Sequence, residues 1–352
     1  MFFLKKNQYI ALLLLAAFGA GLAFATFVAF NEFEQEKIHI NLREKGKDRI
    51  STFQELIDKS IDEIYSLAAF FNASEKVERL EFLDFTRAIL ANHNGLQALE
   101  WIPRVVAAER LQHEEGARRN GLPGYRITER IEKGEMVPAG RRAEYYPVYY
   151  LEPQAGNEEA LGYDLGSNPV RLEALHLARD MASPVATSRI RLVQESGEHF
   201  ALLVLLPVYK KNLEFKTVAG HRAALLGFVA GVFRVDEMLA QALSVLSRQA
   251  IDIYLFDTKE NDSATRFMGF YKSGKEVREF DSNPAEETVA KGYHYSLDVR
   301  VADRSWKAYC KPTEEFLQQY RSWHVWGVPG SFSFLPVLFA STSFFISAIQ
   351  KA

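Results

Sequence analysis

The feature that most constrains this chain is an uncharged apolar run near its N-terminus. Tyr9 to Phe30 contains 22 residues without a charged side chain, and about 20 residues of α-helix cross the hydrocarbon core of a bilayer. A cleaved signal peptide is the alternative, although its apolar region normally has only about 7 to 15 residues. Lys5 and Lys6 precede the run and glutamates follow it. The sequence therefore predicts a cytoplasmic N-terminus over residues 1–8 and a transmembrane helix over residues 9–30.

The C-terminal end carries a second uncharged run, residues 325–350. Trp323 and Trp326 stand at its start, as in the aromatic belt of a membrane interface. The prolines within it are tolerated in transmembrane helices and disfavoured inside soluble ones, so a second transmembrane helix is predicted and a soluble core helix is the alternative. We expect an integral protein of the inner or plasma membrane with two spans. The residues between the spans would be periplasmic or extracellular.

Residues 31–75 follow the first apolar run with an amphipathic pattern. Apolar residues recur at the spacing of three and four that is typical of one helix face, from Ile50 through Phe53, Ile57 and Ile64 to Leu67. A stalk helix is predicted here. Its apolar stripe needs a partner, which is either the domain behind it or the same helix of a second chain.

The rest of the chain alternates strand-like and helix-like segments, which favours α+β units. A membrane-distal unit is predicted over residues 76–215 and a smaller membrane-proximal unit over residues 216–322. The predicted fold class is therefore α+β: a long N-terminal stalk helix followed by two tandem units, flanked by two transmembrane helices. Within the units, "HFALLVLLPVYKK" is apolar enough to be a central strand.

Several local predictions accompany these units. "GYRITERIEKG" and "AEYYPVYYLEP" resemble hairpins, and "LEFKTVAGHR" resembles a loop. "AALLGFVAGVFRV" is expected to open the second unit, with Asp236 as the N-cap of the helix that follows. Asn168 and Pro169 are expected to cap and begin a helix directly after Asp164.

Composition and motifs exclude several classes of protein. The 42 basic and 45 acidic residues nearly balance, so nucleic-acid binding is not expected. Cys310 is the single cysteine, which excludes an internal disulfide and predicts a small buried apolar side chain. The sequence lacks phosphate-loop, zinc-protease and nucleophile-elbow patterns. No catalytic residue, metal site or cofactor is therefore predicted.

Several blocks in order resemble the CHASE sensory domain. They are "LEWIPRVVAAER", "GYRITER", "EYYPVYYLEP", "NEEALGYDLGSNPVRLEALHLARD", "PVATSRIRLVQE" and "VLLPVYKK". That family forms the extracytoplasmic input of receptor histidine kinases, diguanylate cyclases and adenylate cyclases, including the plant cytokinin receptors. The resemblance implies two PAS-like units after the stalk, a parallel homodimer, and a ligand pocket in the distal unit.

The resemblance also implies the ligand-binding residues. In the cytokinin receptors an aspartate hydrogen-bonds the adenine ring of the hormone, and an ungapped count from "PVATSRIRL" places that aspartate on Asp164. Thr187 falls on the neighbouring pocket strand, and Tyr146 and Tyr149 fall on the aromatic strand. Because bulky Tyr163 stands beside the aspartate, the implied ligand is a small polar compound, adenine-like or of another kind.

Two functions follow from these observations. The first is a transmembrane receptor of a signal-transduction or two-component system, whose kinase or cyclase output module would lie beyond Ala352. The second is a membrane-anchored interaction protein that signals through a partner.

Overall fold

The protein, described by a computed structural model, consists of helices and mostly short antiparallel strands. Residues 6–91, 95–131, 134–191, 200–211, 217–247, 249–273 and 284–320 are described. The predicted second transmembrane helix, residues 325–350, lies outside these ranges. The helices are α1 Lys6–Ala73, α2 Arg79–Leu90, α3 Arg110–Arg119, α4 Pro169–Met181, α5 Val218–Ala224, α6 Val235–Ser244, α7 Ser263–Arg266, α8 Glu286–Val289 and α9 Glu314–Tyr320.

The strands pair into two larger sheets and two short ladders. In chain order they are β1 Ala98–Pro103, β2 Val105–Val106, β3 Thr128–Arg130, β4 Met136–Pro138, β5 Glu144–Tyr145, β6 Tyr150–Glu152, β7 Val185–Ala186, β8 Ala201–Tyr209, β9 Leu225–Arg234, β10 Ile251–Asp257, β11 Phe267–Tyr271, β12 Tyr295–Val301 and β13 Arg304–Pro312. The five-stranded sheet has the order β6-β1-β9-β8-β7, and the four-stranded sheet has the order β11-β10-β13-β12.

Helix α1 contains both the first predicted span and the predicted stalk. Within the described residues it is the one helix long and apolar enough to cross a membrane, with a mean hydropathy of 2.2 over its most apolar window. Leu13, Phe18 and Phe24 are exposed to about 70% of their surface. A core helix of a soluble domain would bury such side chains, so their exposure favours a membrane helix.

The apolar stripe of the stalk is covered by the chain's own domain. Ile50, Phe53, Ile57, Ile64 and Leu67 are at most 1% exposed. The sequence allows two partners for the stripe, the domain behind the helix or the same helix of a second chain, and the single chain already supplies the domain. A second chain would have to use another face of the helix.

The five-stranded sheet has helices on both faces. We call the inner face the one that packs against α4 through a buried apolar cluster, which includes Ala98, Ile102, Leu203, Leu205, Phe228 and Ala230. On the outer face, Phe71 of α1 stacks on Trp101 of β1 with ring centroids 4.1 Å apart. A Cβ on Gly231 of β9 would come within 2.7 Å of Ile64, so the absence of a side chain lets α1 approach this strand closely.

The four-stranded sheet also contacts α1. The Gln54 side chain donates to the carbonyl of Arg300 at 2.9 Å and accepts from its N–H at 2.8 Å. These bonds give both outward-facing backbone groups of Arg300 on the edge strand β12 a partner. Helix α6 covers β11. Cys310 on β13 is buried against Gly46 of α1, which confirms the prediction of a small buried side chain.

Two sequence-based assignments of strands are wrong. "AALLGFVAGVFRV" forms β9, which lies between β1 and β8 in the first sheet instead of opening the second unit. An apolar run that is buried on both faces carries no periodicity that identifies its sheet. "AEYYPVYYLEP" is not a hairpin, because β5 pairs with β2 and β6 pairs with β1. "GYRITERIEKG" does begin a hairpin, in which β3 pairs with β4.

Two assignments at helix starts also need correction. The predicted loop "LEFKTVAGHR" contains the first turns of α5, whose N-cap Thr217 accepts the N–H of Gly220 at 3.1 Å. Helix α6 begins at Val235 with Arg234 as the N-cap, so Asp236 stands in the first turn. A carboxylate there still stabilises the helix through its dipole.

Candidate functional site

Asp164 lies where the loop before α4 joins the neighbouring backbone. Its N–H donates to the carbonyl of Thr128 at 2.8 Å, and its backbone forms an antiparallel bridge with Pro147. Gly162, two residues before Asp164, has a φ of 83°, and a Cβ there would collide with the carbonyl of Arg126. Only glycine therefore fits this turn without strain.

The Asp164 carboxylate is fully buried, and its two oxygens have different surroundings. Oδ1 accepts the N–H groups of Tyr146 at 2.8 Å and Gly166 at 3.1 Å. Oδ2 is buried without a hydrogen bond and lies 3.5 Å from Nη1 of Arg142. One oxygen thus stabilises the loop, while the other retains its capacity to accept a donor.

Arg142 connects this carboxylate to a second acid. Its Nη2 forms an ion pair with Glu129, while its Nη1 is buried without a hydrogen bond. Burial raises the pKa of Asp164 above its ordinary value, and the Tyr146 amide and the Arg142 guanidinium oppose that rise. The buried Asp164 and the half-buried Arg142 therefore form a polar pair whose hydrogen-bonding capacity is only partly used.

The two predicted tyrosines lie in different surroundings. Tyr146 contacts the ring of Phe228 edge-on, with centroids 5.7 Å apart, and donates its hydroxyl to Glu144 at 2.6 Å. Its backbone is bonded to Asp164, so these two residues are together. Tyr149 instead stacks on Tyr150 at 4.4 Å and accepts from the side chain of Asn120 at 3.2 Å.

Thr187 directly follows the short strand β7. Its N–H donates to the carbonyl of Leu203 at 2.9 Å, and its Oγ1 accepts the N–H of the same residue at 3.1 Å. The side chain is 1% exposed. Since Leu203 belongs to the inner face, Thr187 lies beside the same apolar cluster that Tyr146 joins.

The outer edge of β7 forms hydrogen bonds with the turn between β12 and β13. The N–H of Ala186 donates to Asp303 at 2.8 Å, and its carbonyl accepts from Nε of Arg304 at 3.1 Å. Arg304 also forms an ion pair with the fully buried Asp257 of β10. The residue next to Thr187 is therefore hydrogen-bonded directly to the four-stranded sheet.

Two further buried charges were missed by the sequence analysis. Glu100 on β1 and Arg171 on α4 are each 5% exposed. Both have a sequence signal, because each charge occupies a position where the pattern calls for an apolar residue. Glu100 alternates with Ala98 and Ile102, and Arg171 lies three and seven residues before Ala174 and Ala178.

Arg171 binds the residue beside Asp164. Its Nη1 donates to the hydroxyl of Tyr163 at 3.0 Å and its Nη2 donates to the carbonyl of Arg191 at 3.0 Å. Glu100 has one buried oxygen, Oε2, without a hydrogen bond. Burial raises the pKa of Glu100 to about 7 against the opposing charge of Arg171. In the described part of the chain, no three His, Cys, Asp or Glu side chains form a metal-binding group.

Comparison with known proteins places these residues in a family. The chain matches the CHASE domain over residues 75–268, more than half of its length. It is 20% identical over 89% of its length to hybrid signal transduction histidine kinase A of Dictyostelium discoideum. It is also 20% identical, over 88% of its length, to the germination-specific adenylate cyclase of the same organism.

The chain spans 15% of the length of that kinase and 35% of that cyclase. Among solved structures, the periplasmic sensory domain of the Campylobacter jejuni chemoreceptor Tlp1 is similar with a TM-score of 0.48 and 9% identity. That match covers 82% of this chain and 99% of the sensory domain. On the match over residues 75–268, the chain belongs to the CHASE domain family.

Proposed function

We propose that this chain is the sensory part of a membrane receptor that binds a small polar ligand outside the cytoplasm. The observation that carries the proposal is the buried Asp164, which lies within the CHASE match and has one oxygen without a hydrogen bond. The ion pair with Arg142 at 3.5 Å leaves this oxygen without a hydrogen bond, and a ligand N–H or O–H group would supply one. Tyr146 and Thr187 would line the same site.

The four predicted site residues have unequal support. Tyr146 is bonded to Asp164, and Thr187 lies beside the apolar cluster that contains Tyr146. Tyr149 packs with Tyr125 and His113 instead. We propose that Tyr149 supports the side of the site through its packing with Tyr125 and His113, without contacting Asp164.

We further propose two tandem PAS-like units and two membrane spans. The two antiparallel sheets support this division, with the boundary after β9 because β9 completes the first sheet. Residues 9–30 and 325–350 would be the spans, and residues 1–8 would be cytoplasmic. A parallel homodimer would pass the signal to a cytoplasmic output module. This module would be a histidine kinase or a nucleotide cyclase, because the two similar proteins are a histidine kinase and an adenylate cyclase.

The contact of β7 with the β12–β13 turn supports a route for that signal. A ligand that moves Thr187 would move Ala186, which is bonded to Asp303 and Arg304. A ligand can shift such an equilibrium only by its different affinities for the two states. We therefore expect ligand binding and the position of the four-stranded sheet to be coupled.

A thermal-shift screen of the purified full chain tests the proposal. The screen uses a library of small polar metabolites that includes adenine and its N6-substituted derivatives. We expect at least one compound to raise the unfolding midpoint of the wild type, and Asp164→Asn to abolish that rise. Glu173→Gln, an exposed acid on α4, is the matched control and should respond like the wild type.

Two results would contradict the proposal. If no compound stabilises the wild type, the chain is not a small-molecule sensor, and a partner protein that copurifies in fixed ratio would favour a membrane-anchored interaction protein. If a compound stabilises the wild type and Asp164→Asn equally, the assignment of Asp164 is wrong.

A further inference from the structure

Glu100 is a charged residue on a face that is otherwise apolar. It lies between Ala98 and Ile102 on the inner-facing side of β1, and both of these residues belong to the buried cluster. Its cross-strand neighbours are Leu151 on β6 and Ala230 on β9, which belong to the same cluster. A carboxylate in such surroundings loses its hydration, and it requires donors to offset that loss.

No donor offsets this loss at one of its oxygens. Oε2 of Glu100 is buried without a hydrogen-bond partner among the described residues. The charge that acts on the carboxylate is that of Arg171, which packs onto the inner face from α4. The Arg171 guanidinium donates to the Tyr163 hydroxyl and the Arg191 carbonyl, and among the described residues no hydrogen bond joins it to Glu100.

The residues around the two charges are small. Ala98 and Ala230 flank Glu100 on the sheet, and Ala174 and Ala178 face the sheet from α4. Alanines at these positions bring little side-chain volume between a helix and a sheet that carry opposite charges. The interior thus presents an acceptor on one side and, on the other, a guanidinium of which Tyr163 and Arg191 occupy only part of the five N–H donors.

We propose that the inner face of the five-stranded sheet binds a small zwitterion, whose ammonium group lies on Glu100 and whose anionic group lies on Arg171. Charge balance selects a zwitterion over a simple cation or anion. When both side chains are ionised, a bound cation would leave the charge of Arg171 uncompensated in the interior, and a bound anion would leave the Glu100 carboxylate uncompensated. A zwitterion gives each buried charge an opposite partner.

This inference rests on the proposed sensor function and gives the class of its ligand. Tyr163, the partner of Arg171, belongs to the same buried cluster as Tyr146, whose N–H donates to Asp164. Asp164 would accept a further donor of the ligand. Glu100 and Arg171 would recognise its two charges.

The experiment uses the full chain in mild detergent with the twenty standard L-amino acids as probes. Thermal shift identifies the binders, and isothermal titration calorimetry measures their affinity. For each amino acid that binds, two analogues are tested on the wild type, one without the carboxylate and one without the amino group. This comparison needs no variant protein. We expect binding of at least one amino acid and at least about tenfold weaker binding of both analogues.

Glu100→Gln is the variant test, with Glu173→Gln as the control on the exposed face of α4. Glutamine keeps the shape of the side chain, and far-UV circular dichroism without ligand checks its fold. We expect Glu100→Gln to lower the affinity for the amino acid by at least about tenfold, because a charge-assisted bond is lost. The control should keep the wild-type affinity.

Each remaining outcome overturns the inference. Equal binding to Glu100→Gln and the wild type would remove the role of Glu100, and equal binding of either analogue would remove the requirement for two charges. If metabolites bind but amino acids do not, the zwitterion site is wrong while the sensor function stands. If nothing in either screen binds, the sensor function fails as well.

Discussion

Asp164 has two separable roles that substitutions can distinguish. Asp164→Ala removes the acceptor of the Tyr146 and Gly166 amides and should lower the free energy of unfolding by about 1–3 kcal/mol. Asp164→Asn keeps a carbonyl oxygen for these amides and should lose less, although its charge no longer faces Arg142. Urea denaturation measures both. An equal loss in the two variants would mean that the amide bonds contribute nothing.

Glu100 should make the stability depend on pH. Its pKa is raised from 4.5 to about 7 by burial, so the folded state favours the neutral carboxyl. That contribution is complete below the unfolded pKa and is lost as pH rises through about 7. Glu100→Gln is neutral at every pH, so at pH 8 it should be more stable than the wild type by about 3 kcal/mol.

Urea denaturation of both proteins at pH 5 and pH 8 measures this difference. Burial also lowers the pKa of His113 to about 4, but His113 is present in both proteins and its effect cancels in the comparison. A stability gap between the two proteins that is the same at both pH values would show that Glu100 does not titrate in this range.

Gly162 fixes the turn that presents Asp164. Gly162→Ala places a Cβ at positive φ and against the carbonyl of Arg126. Gly156→Ala is the matched control, because Gly156 has the same φ of 83° but open space around its Cα. The control should lose about 1–2 kcal/mol and Gly162→Ala clearly more. Similar losses in thermal denaturation would show that the backbone absorbs the contact.

The elements that the sequence predicts best have strong local signals. Asn168 caps α4 through the N–H of Arg171 at 3.2 Å and Pro169 begins the helix, as predicted. Strand β1 follows the β-forming residues of "LQALEWIPRV", and β8 follows its apolar run. These features depend on short-range chemistry. Strand β9 lies in the first sheet and not in the predicted second unit, because its position depends on pairing partners far away in sequence.

The contact of β7 with the β12–β13 turn gives a prediction for one element. Asp303→Ala removes the acceptor of the Ala186 N–H and leaves Arg304 as the partner of the outer edge of β7. Hydrogen exchange followed by mass spectrometry should then show faster exchange in the peptide over residues 183–189, by about tenfold or more, with β1 unchanged. Asp298→Ala, an exposed carboxylate on the same hairpin, is the control. Equal exchange rates in both variants would show that the bond to Asp303 does not protect β7.

At the scale of the whole molecule, the sequence predicts the classes of element more reliably than their partners. The long N-terminal helix and the mixture of helix and sheet are confirmed. The candidate site is only partly predictable. Resemblance gives Asp164 as a candidate, and Glu100 and Arg171 each interrupt an apolar pattern. That these two charges share one core becomes visible only when β1 and α4 are known to face each other.

Helix α1 should make the two sheets unfold together. Its residues near Gln54 contact the four-stranded sheet, and Ile64 contacts Gly231 in the five-stranded sheet. Phe53 is fully buried on this helix, so Phe53→Ala should lower the free energy of unfolding by about 3–5 kcal/mol. Because one rigid helix packs on both sheets, the loss should appear equally in each.

Hydrogen exchange at increasing urea concentrations can follow β9 and β13 separately in the same sample. We expect one shared midpoint in the wild type and one lower shared midpoint in Phe53→Ala. Tyr65→Ala is the control on the same helix, since Tyr65 is 48% exposed and its removal should shift neither strand. If Phe53→Ala lowers the midpoint of β13 alone, α1 does not couple the sheets, and a signal between them would have to pass through the bonds of Ala186 to Asp303 and Arg304.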